Sequence, residues 1–134
     1  MKHIHEVFFE FDEAKNTKER KHVLLQNNSK LLLKTLKLMF DDFHFALDKV
    51  PKYTPDDSPE GYTLSNLHKR LSEFEVFLDE SYFVNYRSEH RFIQFLESLH
   101  HKESEIVVKI INKKMKVKWL TRRLVDEVFP NLLD

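Results

Sequence analysis

An all-α fold is what this sequence predicts: a compact single-domain bundle of about five to seven helices with one long loop. Three observations lead there. The 134 residues contain a single Gly, which is poor supply for the left-handed positions of hairpins and Gly-rich loops. Leu64, Leu67, Leu71, Phe74 and Leu78 recur at spacings of 3, 4, 3 and 4, the period of one helix face. Three of the four Pro, together with the only Gly, fall between residues 48 and 62, leaving the remainder free for helix.

The elements follow in order. The first 28 residues predict two helices broken near Asn16, one loaded by Val7, Phe8 and Phe11 and the other by Val23, Leu24 and Leu25; they are expected to form a looser N-terminal arm of the single domain 1–134. From Ser29 to about Phe43 the chain is apolar nearly all round, with Lys30, Lys34, Lys37 and Asp41 as a thin polar stripe, and reads as the buried central helix. The Leu64–Leu78 stripe predicts a helix of about five turns, capped by Thr63 or Ser65. Ser88–Leu99 and Glu103–Asn112 predict two more, and Thr121 opens a short last helix that Pro130 ends.

Residues 48–62 hold Pro51, Pro55, Pro59, Gly61, Tyr53 and Tyr62. A connection this long without regular structure is either a packed crossover stapled by its Tyr residues or a functional loop. In the second case Tyr53, Asp56, Asp57 and Tyr62 are the expected partner-binding residues.

The charge is balanced in sum, 22 basic against 22 acidic, but segregated along the chain. Residues 15–37 carry seven basic side chains and one acidic, whereas residues 38–80 carry four basic and ten acidic. The densest block runs from Lys109 to Arg123, with seven cations in 15 residues, no acid between them, and Trp119 inside. Two readings stand for it. Trp119 is a core anchor at a helix junction and the cations solvate one face. Alternatively Lys113, Lys114, Lys116, Lys118, Arg122 and Arg123 take phosphates while a base stacks on Trp119. A chain of zero net charge argues against a dedicated nucleic-acid binder.

Catalytic chemistry finds no foothold in the residues. No Cys is present, so disulfides, thiolate metal sites and cysteine nucleophiles are excluded. Three carboxylate-x-x-His pairs occur (Glu19/His22, Asp41/His44, Glu97/His100). A di-metal bundle site needs such ligands to project inward, and Glu97 falls about 130° from the centre of its helix's apolar face, towards solvent. His3-x-His5 and His100-His101 lack a third placed ligand. No enzyme activity, metal or cofactor is expected. There is no apolar run long enough for a membrane span and no secretory leader pattern.

Several separated blocks carry a resemblance. They are Phe43-His44-Phe45-Ala46-Leu47, Pro51-Lys52-Tyr53-Thr54-Pro55-Asp56, Pro59-Glu60-Gly61 and Leu64-Ser65-Asn66-Leu67; then Phe92 to His100, Lys102-Glu103-Ser104 and Leu124 to Pro130. Together, over about residues 27–133, they resemble a family of small uncharacterised proteins of T-even-type tailed bacteriophages and their cyanophage relatives. Members often carry Pro where this chain has His101, and Gly where it has Asp48-Lys49-Val50. The resemblance implies a viral protein acting in the cytoplasm of an infected bacterium. It brings no activity, cofactor or catalytic residue.

The expected function is therefore that of a non-enzymatic phage accessory protein, which binds a host or phage protein, as in host takeover. The alternative is a nucleic-acid-binding accessory protein of replication, recombination or transcription, using the Lys109–Arg123 segment. Twelve Phe in so short a chain also raise the expectation of a homo-oligomer interface.

Overall fold

The computed structural model describes residues 2–41, 43–45, 47, 50–56, 65–83 and 86–133. Among them are seven α-helices, one 3₁₀ turn and no strand beyond an isolated bridge, so the fold is all-α as expected. The helices are α1 (Ile4–Glu13), α2 (Thr17–Gln26), α3 (Lys30–Phe40), α4 (Leu71–Phe77), α5 (Tyr86–Ser98), α6 (His101–Ile111) and α7 (Arg122–Val128). None is long and apolar enough to cross a membrane.

Backbone packing groups the chain into two units, Phe43–Lys114 and a discontinuous one made of Met1–Asp42 and Met115–Asp134. In the discontinuous unit α2 packs against α1 and α7. Its buried residues include Ile4, Phe8 and Phe11 of α1, Leu24 of α2, Leu31, Leu32 and Leu36 of α3, and Leu124 and Val125 of α7. The break near Asn16 falls where expected, because the Asn16 side chain accepts the Glu19 N–H at 2.9 Å and caps α2. Ser29 and Thr121 cap α3 and α7 in the same way, accepting from Leu32 at 3.1 Å and Leu124 at 3.2 Å. Helix α3 is not buried all round: it buries Leu31, Leu32, Thr35 and Leu36, while Leu33, Leu38, Met39 and Phe40 are half-exposed. Its abundance of Leu exceeds what its inward face can hold.

The Phe43–Lys114 unit is built on closely packed Phe rings. Phe77 lies 5.1 Å from Phe92 and 5.1 Å from Phe95, centroid to centroid, and Phe45 meets Phe83 and Phe92 at 5.4 Å. Phe77–Phe92 and Phe45–Phe83 meet edge to face, a geometry that adds to area burial, and the other two pairs are tilted. Of the twelve Phe, only Phe9 is classed as exposed, so the Phe load is largely absorbed inside the fold.

The five-turn helix expected from Leu64 is shorter. Residues 67–70 form a turn, and α4 begins only at Leu71. Asn66 rather than Ser65 caps that turn, accepting the Lys69 N–H at 3.0 Å; Thr63, the other expected cap, lies outside the described residues. The Leu67 N–H donates to the carboxylate of the fully buried Glu103 at 3.2 Å, and Arg70 departs from helical angles (φ −106°, ψ 16°). The apolar stripe survives this break in part: Leu67, Phe74 and Phe77 are buried, Leu71 and Leu78 are half-buried, and Leu64 lies outside the described residues.

Candidate functional site

Trp119 is exposed over 53 % of its surface, which overturns the expectation of a core anchor. Its position comes from a turn between α6 and α7. The Leu120 N–H donates to the Val117 carbonyl at 3.0 Å, and Trp119 adopts φ 71° as the third residue of that turn. Such a place ordinarily takes Gly or Asn, and a side chain with a Cβ costs about 1 kcal/mol there. The ring is held by two cations: the Arg20 guanidinium carbon lies 4.7 Å from its centroid and the Lys118 ammonium 5.4 Å. Arg20 is itself steadied by a hydrogen bond to the Ala14 carbonyl at 3.4 Å.

The neighbouring cations are less available than the sequence suggests. Glu127 takes an ion pair from Lys21 at 2.6 Å and from Arg123 at 3.4 Å. Those two cations, Lys21 foremost through its hydrogen bond, hold the Glu127 carboxyl below its ordinary range. Arg122 reaches Asp41 at 3.6 Å and the Phe40 carbonyl at 3.1 Å. The basic run also divides between the units: Lys116, Lys118, Trp119, Arg122 and Arg123 belong to the discontinuous one, Lys113 and Lys114 to the other. Lys113 has a backbone task there. With φ 58° it ends α6 in a Schellman motif, in which the Lys114 N–H reaches the Lys109 carbonyl at 2.8 Å and the Lys113 N–H that of Ile110 at 3.0 Å. Its ammonium sits 5.7 Å from the Phe43 ring.

The described part of the loop, residues 50–56, is tied to the α5–α6 junction. Glu97, expected to face solvent, accepts the Thr54 N–H at 2.6 Å. Asp56 forms a parallel bridge with His100, whose imidazole is buried and accepts the Lys102 N–H at 3.1 Å to cap α6. Tyr53 is half-buried; burial first, and then the nearby Glu105 charge, push its phenol above the ordinary value. Asp57 and Tyr62 lie outside the described residues.

One group of metal-ligating side chains was not foreseen. His3, His5 and Glu6 bring three ligand atoms within 4.8 Å of one another. The signal in the sequence was the His-x-His pair; the third ligand became visible only with the helix start.

No curated protein and no solved structure matches the chain. A family model matches residues 7–117, a stretch that stops short of both Trp119 and the His3–Glu6 group. Because that match spans most of its length, the chain belongs to DUF6433, a family of unknown function.

Proposed function

We propose that this protein is a non-enzymatic accessory protein of a T-even-type phage, acting in the cytoplasm of the infected bacterium by binding a host or phage protein through Trp119. The phage origin rests on the separated sequence blocks from Phe43 to Pro130 described above. The binding role rests on one observation: a Trp more than half exposed, on a left-handed backbone, with Arg20 and Lys118 over its ring. A lone exposed aromatic is ordinary on any surface. A strained one oriented by two cations is better placed to serve as an anchor, and Trp and Arg dominate the energetics of protein interfaces. The carboxylates of Glu127 and Asp41, bound to Lys21, Arg123 and Arg122, favour a protein over a polyanion, because a phosphate chain would meet them as like charges.

Capture of the tagged protein from infected cells, with and without nuclease, tests the reading. Trp119→Gly removes the ring and relieves the backbone at once. It is expected to keep the melting temperature within a few degrees while losing a stoichiometric, nuclease-resistant partner. Retention of the same partner by Trp119→Gly, or no such partner for the parent chain, defeats the proposal.

Nucleic-acid binding is the second reading, favoured by the same ring with Lys116 and Lys118 beside it in sequence. It requires capture that vanishes with nuclease, and affinity for DNA or RNA that falls steeply with salt.

A further inference from the structure

We propose that His3, His5 and Glu6 form a binding site for a single divalent transition-metal ion of the zinc class. The proposal is independent of the Trp119 reading. Two imidazoles and one carboxylate are a donor set that zinc accepts, with water completing the tetrahedron.

Helical periodicity alone would forbid the site. Residues two apart on a helix point about 200° apart, so His3 and His5 could not converge if both were helical. His3 is not helical: it is the N-cap of α1, with extended backbone at φ −63° and ψ 152°. That departure turns its ring towards His5, and the two meet edge to face with centroids 5.4 Å apart and planes at 79°. Glu6 is drawn to the same place by capping, since its Oε1 accepts the His3 N–H at 3.0 Å. The outcome is three ligand atoms mutually within 4.8 Å, a spacing that modest side-chain rotation contracts onto bonds of about 2.0–2.2 Å.

Electrostatics sets the strength. The first turn of a helix carries partial positive charge, which opposes a cation. Glu6 offsets that field and can hold the metal through one oxygen while the other keeps its backbone hydrogen bond. The site is thus expected to be of moderate affinity, and filling it fixes the start of α1.

The test uses the full chain, freed of any affinity tag and stripped with chelator, titrated with Zn²⁺ against a chromophoric competitor and with Co²⁺ by visible absorption. One equivalent of each is expected to bind. His5→Ala and Glu6→Gln are each expected to weaken binding about tenfold or more, while His22→Ala, an exposed imidazole elsewhere, changes nothing. Glu6→Gln keeps an acceptor for the His3 N–H, so its helix content by circular dichroism stays at the parent level. Absence of saturable binding, or equal affinity in parent, His5→Ala and Glu6→Gln, overturns the site.

Discussion

Tyr53 shows how a side chain expected to meet a partner also serves its own unit. Its phenol is raised by burial and by Glu105, so the folded chain holds that proton more tightly than the unfolded chain does. The associated stability is complete below the unfolded value of 10.0 and is lost as pH climbs through the folded one. Tyr53→Phe is therefore expected to flatten the fall in melting temperature above about pH 10, and to remove one phenol that ionises above the ordinary value from an ultraviolet difference titration. Other residues were legible only in part. With one Gly in the chain, left-handed turns were not to be expected, yet Lys113, Trp119 and Asn131 all take positive φ. Asn131 was readable, because it follows Pro130 in a turn closed by the Leu132 N–H on the Phe129 carbonyl. Nothing in the residue type of Lys113 or Trp119 marks them for that backbone, so their roles emerge from hydrogen bonding alone.

Among the elements, those whose ends are chemically marked were the most legible. Asn16, where the sequence places a break, and Ser29 and Thr121, where it places helix starts, each cap the helix that follows. The apolar stripe expected from Leu64 to Leu78 is buried at Leu67, Phe74 and Phe77 and only half-buried at Leu71 and Leu78. It is not one continuous helix, because periodicity does not see a backbone N–H drawn to Glu103, 36 residues away. The Leu-rich α3 misled in the opposite sense, since composition counts its Leu without saying which of them face inward. The end of α6 offers a quantitative check. Lys113 occupies the Schellman position that Gly fills most easily, so Lys113→Gly is expected to stabilise the fold by about 0.5–1 kcal/mol in chemical denaturation. A destabilisation would mean that the Lys113 ammonium over Phe43 outweighs backbone relief.

Over the whole molecule, two buried clusters share one chain, and only one of them is continuous in sequence. Leu24 is fully buried on α2, which packs on α7 roughly a hundred residues later. Leu24→Ala is expected to cost about 2–5 kcal/mol. In amide hydrogen exchange it should loosen α7 as much as α2, because the two share packing; protection in α7 that stays at the parent level would contradict that. Charge segregation was visible from the outset, but whether a cation is paired depends on packing that only the structure supplies, as with Glu127 between Lys21 and Arg123.

The divided unit also has a history on the ribosome. Its first 42 residues emerge long before the final 20 that complete it, and the other unit is synthesised in full between them. Nascent α2 must wait for its packing against α7 until the intervening unit has been made. A message cut short after Lys114 would release an opening segment without the α7 packing of its own unit. In this arrangement residues translated after the intervening unit are what secure the helices made before it.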